Sequence, residues 1–229
     1  MKTQVTCFLI VFISSISAYA QYMPYKGVPL LENYKPQDYF NKGKIWDIHS
    51  SESGIVYMAA DKGLLEFDGK TWKNFVGSTG FTRSLLVVND SLIYTGSDVD
   101  FGIWHKNKNL AFDYTSLYPF KKDLNDIKEE FWDVHQVNDN IIFVSSQNIY
   151  IYKNQQLTKI AAPYKISASF KIQDILYIAD EKYGLYEFNG MSLKQIFKNS
   201  SEVPFQISGI YKNKNGINLV TKCQVSQRC

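Results

Sequence analysis

Apolar and polar positions along this chain keep a two-residue beat, interrupted by short, wholly apolar runs, and the whole pattern recurs. The segment "GIVYMAADKGLLEFDGKTW" from Gly54 returns as "SLIYTGSDVDFGIWHKNKNL" from Ser91. It returns again as "NIIFVSSQNIYIYKNQQLTKI" from Asn140 and "DILYIADEKYGLYEFNGMSLKQI" from Asp174. The aligned aromatics Tyr57, Tyr94, Phe143 and Tyr177 stand 37, 49 and 34 residues apart, and a fifth unit opens at "ISGIYKNKNGINLV". A two-residue period with short apolar runs is the pattern of β-strands.

Each unit has the same grammar. A first strand ends in a polar turn, and a second, mostly apolar strand follows. A third carries an aromatic slot, filled by Phe67, Trp104, Tyr152 and Phe188, and Gly63, Gly102 and Gly184 precede it. An amphipathic fourth strand closes the unit. Asp68-Gly69 and Asn189-Gly190 read as two-residue type I′ hairpin turns, which need positive φ at both central residues. Four strands in each unit of this length is the signature of a β-propeller. The expected fold is therefore all-β, with blades at 44–76, 82–117, 130–162 and 166–198 and a partial blade at 206–221, about four and a half in all. Residues 118–130 form a charged insertion that predicts one helical turn or a long loop.

Composition adds bounds. With 45% hydrophobic and 21% charged residues the chain reads as an ordinary globular protein, and its 15% aromatics favour strands. A net charge of +3, evenly spread, gives no argument for nucleic acid or an anionic membrane as partner. The start, "MKTQVTCFLIVFISSISAYA", reads as a signal peptide cleaved after Ala20, with a lead-in segment at 21–43 and the periplasm as destination. Its apolar run is too short to span a bilayer. Cys7 lies inside that run. Cys223 and Cys229 fall within the last seven residues, so the core must hold without disulfides.

Candidate chemistry is thin. "WDIH" at Trp46-Asp47-Ile48-His49 matches "WDVH" at Trp132-Asp133-Val134-His135, yet Ser84 and Leu86 stand at the aligned positions of the second unit. Strand-edge hydrogen bonding explains Asp47, His49, Asp133 and His135 better than a ring of metal ligands does. Asp98 and Asp100 lack the further oxygens of a Ca²⁺ site and fit a self-satisfied turn. Asn89 and Asn199 match the glycosylation pattern, a frequent chance occurrence. No catalytic, cofactor or metal residue is assigned, and the ligand-binding residues stay unknown.

The opening of the mature chain carries a resemblance. Gly27-Val28-Pro29, Asn33-Tyr34, Pro36, Tyr39, Trp46, Gly54, Gly63-Leu64 and Phe67-Asp68-Gly69-Lys70-Thr71-Trp72 resemble the first blade of the two-component-regulator propellers. The likeness covers 24 to about 221 with falling strength. In that family an exported, typically seven-bladed sensor precedes a three-tyrosine domain, a membrane helix and a histidine kinase or LuxR-like DNA-binding output. The resemblance implies a non-enzymatic sensor that binds a periplasmic ligand or protein, and membrane attachment only through segments beyond this chain. Against that pattern, "KCQVSQRC" at 222–229 reads as an aberrant tail on a truncated or frame-shifted frame, with an open edge prone to self-association. A carbohydrate-active propeller enzyme and a general scaffold are the alternatives. The enzyme would lean on arginine, and the mature chain has only Arg83 and Arg228.

Overall fold

The computed structural model describes residues 31–39, 43–77, 80–119, 129–182, 184–198, 205–214 and 216–223. The signal peptide, Cys7, most of the 118–130 insertion, Asn199, Arg228 and Cys229 lie outside them. The described part is all-β. Blade one holds β1 (Ile45–Ser50), β2 (Val56–Ala60), β3 (Gly63–Phe67) and β4 (Trp72–Phe75). Blade two holds β5 (Thr82–Asn89), β6 (Leu92–Ser97), β7 (Phe101–Lys106) and β8 (Phe112–Ser116). Blade three holds β9 (Phe131–Val137), β10 (Asn140–Ser145), β11 (Asn148–Lys153) and β12 (Gln156–Ala161). Blade four holds β13 (Ile166–Ile172), β14 (Ile175–Asp180), β15 (Gly184–Phe188) and β16 (Leu193–Lys198). A hairpin of β17 (Phe205–Asn213) and β18 (Gly216–Cys223) starts the fifth unit. Each of the four complete sheets is an antiparallel meander in chain order. The first strands adjoin one another (β1 with β5, β5 with β9, β13 with β17), so they form the inner wall.

The second strands read as apolar runs because both of their faces are covered by neighbouring blades. In β2, Tyr57 and Ala59 enter the core shared with Leu85, Ile93 and Trp104 of blade two. In β10, Ile141 and Phe143 pack toward blade two, while Ile142 and Val144 pack toward blade four. The strand period of two thus deals alternate residues to alternate inter-blade cores. At Gly96 blades two and three approach so closely that no side chain fits. A Cβ on Gly96 would lie 2.7 Å from Phe131 Cβ and 2.8 Å from Phe131 O, so blade three's inner strand packs directly on that backbone.

The lead-in segment, which precedes blade one in the chain, packs on one face of it. Tyr39 of the lead-in is buried in a cluster with Met58, Ala60 and Leu65. Tyr34 meets Phe67 and Trp72 edge-on at 5.0 and 5.2 Å, and Phe67 stacks on Trp72 at 4.3 Å. Aromatic side chains at 34 and 39 supply the apolar cover that a neighbouring blade would otherwise give.

Two turn assignments change. β3 and β4 pair from Phe67 and Trp72 outward, and β15 and β16 from Phe188 and Leu193, so these loops have four residues and not two. The Asp68 carboxylate accepts hydrogen bonds from the amides of Lys70 (2.9 Å) and Thr71 (2.7 Å), and Asn189 Oδ1 does the same for Met191 and Ser192. The side-chain oxygen closes the loop, so only Gly69 and Gly190 adopt positive φ. A two-residue turn with positive φ at both positions occurs at Asn154 and Gln155, between β11 and β12. Gly102 is also reassigned. It lies inside β7, whereas Gly63 and Gly184 open their strands at φ 120° and 126°. A Cβ on Gly63 or Gly184 would strike the carbonyl oxygen of Phe75 or Phe197 at 2.2 or 2.3 Å, so the approach of the fourth strand accounts for the repeated glycine.

Asp68 makes this loop acid-sensitive. The Thr71 hydroxyl, the Thr71 amide and the Lys70 amide hold its carboxyl down to about 2, from 3.8. A depressed folded value means its contribution is complete above the ordinary carboxylate range and lost as pH falls from about 4 toward 2. Asp68→Asn, which copies the Asn189 loop, is expected to leave the melting temperature near neutrality almost unchanged and to flatten its decline between those pH values. Thermal melts across the range check this; an unchanged slope in the variant would show that the acid sensitivity lies elsewhere.

Candidate functional site: a Trp-Arg-Trp cluster on the inner wall

Every inner strand slips register by one residue near its start. The extra residue falls at Trp46 in β1, Arg83 in β5, Trp132 in β9, Ser167 in β13 and Ser208 in β17. Such bulges re-aim a side chain out of the ladder's alternation. In the first three blades they bring together two indoles and a guanidinium. Arg83 Cζ lies 4.0 Å from the Trp46 ring centroid and 4.8 Å from that of Trp132, and the indoles meet edge-on at 6.1 Å. These separations are in cation–π range. Trp46 Nε1 donates to Asp61 Oδ1 at 2.7 Å, which fixes that ring. Trp46 and Trp132 remain 36% and 43% exposed, and Phe81, 47% exposed, has its ring 5.8 Å from the Arg83 guanidinium.

The Asp/His pairs lie beside this cluster and bind blade to blade. Asp47 Oδ2 accepts from the Leu85 amide at 3.0 Å, and Ser84 Oγ donates to Phe131 O at 3.2 Å. Ser169 Oγ donates to Asp133 Oδ2 at 2.6 Å and lies 2.7 Å from His135 Nε2. That order is not a nucleophile triad. A nucleophilic serine gives its proton to the histidine, and the carboxylate holds the other ring nitrogen. Here the Ser169 proton goes to Asp133, so His135 must donate to Ser169.

His49 lies 3.5 Å from Asp47 Oδ1, and its hydrogen bond to that carboxylate raises its pKa above the ordinary imidazole value. Burial pushes Asp47 up, but the hydrogen bonds from His49 and the Leu85 amide outweigh it and the net direction is down. Burial lowers His135, against the pull of Asp133.

The other residues singled out in the sequence go to separate places. Asp98 Oδ1 accepts from the Phe81 amide at 2.8 Å, while buried Asp100 accepts from Ser116 Oγ at 2.7 Å. Asn89 Oδ1 accepts from the Ser91 amide at 2.9 Å, an Asx turn. Among the described residues no three His, Cys, Asp or Glu side chains gather closely enough to hold a metal ion.

With that geometry in view, the chain is a β-propeller. The structure is similar to the extracellular domain of BT4673 from B. thetaiotaomicron, described once as a one-component and once as a hybrid two-component system. Identity is 13% and the TM-score 0.58, over 79% of this chain and 26% of that one. The chain thus spans about a quarter of that domain's length. It is also similar to a catalytically inactive virginiamycin B lyase from Staphylococcus aureus with quinupristin, at 12% identity and TM-score 0.59 over 82% and 66% of the two chains. The WD40 propeller domain of Doa1 matches at 15% identity and TM-score 0.52, over 78% and 65%. No family model matches the sequence. No curated protein matches it either.

Proposed function

We propose that the chain is an exported, non-enzymatic sensory module whose inner-wall cluster of Trp46, Arg83 and Trp132 receives a small ligand. One observation carries this reading: three consecutive blades spend the same bulge position on two half-exposed indoles and a guanidinium. Half-exposed aromatic faces beside a cation suit recognition, since their burial by a ligand is favourable and the fold does not need it. The nearby His135-Ser169-Asp133 chain carries its proton away from the histidine and so supports a structural role. The likeness to the extracellular domain of a signalling protein agrees with an exported sensor, although fold alone does not assign function.

The test is a screen of the purified chain against small molecules, read by tryptophan fluorescence and, in parallel, by mass spectrometry for chemical change. A hit should lose roughly tenfold or more in affinity on Trp132→Ala, with little change in melting temperature because the ring is half exposed. Turnover of a hit that is abolished by His135→Ala would replace this reading with the enzyme suggested by the lyase-like fold.

A further inference from the structure

The guanidinium at the centre of the cluster is undersupplied with acceptors. Arg83 has a side chain only 10% exposed, and its Nε–H is buried without a hydrogen-bond partner among the described residues. The carboxylate beside it, Glu130 Oε1, stands 3.7 Å from Nη2, beyond hydrogen-bond length. The indoles of Trp46 and Trp132 lie within cation–π range of the guanidinium but accept no hydrogen bond along its edge. A buried donor without an acceptor is costly, and a charged one more so. The unsatisfied donors therefore lie on the edge carrying Nε and Nη2, whose two parallel N–H groups match a carboxylate.

Residue choice points the same way. Of the chain's 25 cationic residues only Arg83 and Arg228 are arginine. Lysine would serve as a point charge. Arginine's planar fork combines attraction to indole rings with paired donors. Glu130, with a side chain 44% exposed, is held among the described residues by one long ion pair and can turn outward to clear the edge.

We infer that the Nε–Nη2 edge of Arg83, framed by Trp46 and Trp132, is a seat for the carboxylate of a small ligand with a ring or apolar body. This rests on the reading of the cluster as a binding site and adds the ligand's chemistry. The carboxylate pairs with the fork, the body covers the exposed indole faces, and Glu130 is the internal competitor that the ligand displaces.

The probe is cyclohexanecarboxylate, with cyclohexanemethanol as its neutral counterpart and sodium chloride at matched ionic strength as control. Binding is read by tryptophan fluorescence and calorimetry. The carboxylate should bind saturably and the alcohol at least roughly tenfold more weakly, in line with a charge-assisted bidentate pair. Arg83→Lys should weaken binding by a similar factor. Glu130→Gln, an exposed change that leaves the fold intact, should tighten it severalfold by removing the competitor. No saturable response above the chloride control, or a Glu130→Gln variant that binds no tighter, overturns the seat. Equal binding of acid and alcohol, unaffected by Arg83→Lys, overturns it too while leaving the cluster as a binding site.

Discussion

Glu66→Ala is expected to destabilise the protein by about 3–5 kcal/mol, the usual cost of removing one partner from a buried ion pair. Glu66 is 2% exposed. It accepts hydrogen bonds from Lys73 Nζ at 2.8 Å within its own blade and from Lys106 Nζ at 2.7 Å in blade two. Lys73 has solvent to fall back on, at 45% exposed, but Lys106 is 12% exposed and would keep an uncompensated charge. The Phe112 ring, 4.7 Å from Lys106 Nζ, offers only partial compensation. The double variant Glu66→Ala, Lys106→Met should recover most of the loss, because the penalty lies in the stranded ammonium and not in the missing contact. Urea unfolding of both variants decides the matter: a single variant within about 1 kcal/mol of the parent would mean that water reaches Lys106.

The second large effect is expected at Trp104. Its ring is fully buried in the core between blades one and two, tilted against Tyr114 at 4.9 Å, and its Nε1 donates to Thr95 Oγ1 at 2.9 Å. Trp104→Ala opens a cavity there and should cost about 3–5 kcal/mol. Trp104→Phe keeps most of the packing but leaves the buried Thr95 hydroxyl without its donor, so about 1–3 kcal/mol is expected. Denaturant midpoints that rank phenylalanine as costly as alanine would assign the stability to the hydrogen bond in place of the volume.

Blade count and strand order were legible in the sequence because inter-blade packing imposes the same burial on every repeat. Turn geometry was less so. Asp68 and Asn189 look like the first residue of a type I′ turn, but their side chains cap a longer loop, and the dipeptide alone does not distinguish the two. The site was missed despite a signal in plain sight. Arg83 lies 37 residues after Trp46 and 49 before Trp132, the same spacings that align Tyr57, Tyr94 and Phe143. The repeat register therefore already placed Arg83 in the tryptophan slot. Simple strand alternation set those tryptophans facing away from their aspartates. The bulge that gathers them with Arg83 is a backbone event with no residue signature of its own.

The Tyr34 and Tyr39 cover on blade one has a consequence for how the molecule comes into being. The inter-blade cores join blades that are neighbours along the chain, as Ile142 and Val144 do with Ile166 and Ile178, or Tyr177 and Ala179 with Ile207. Contacts of this kind are short in sequence separation, which favours fast pairing of adjacent blades. Tyr34 and Tyr39, which pack on the first sheet, also precede it in the chain, so they are available to that sheet as soon as it is synthesised. Each later blade then emerges beside a surface already in order, and the contacts it needs are close in sequence and quick to form.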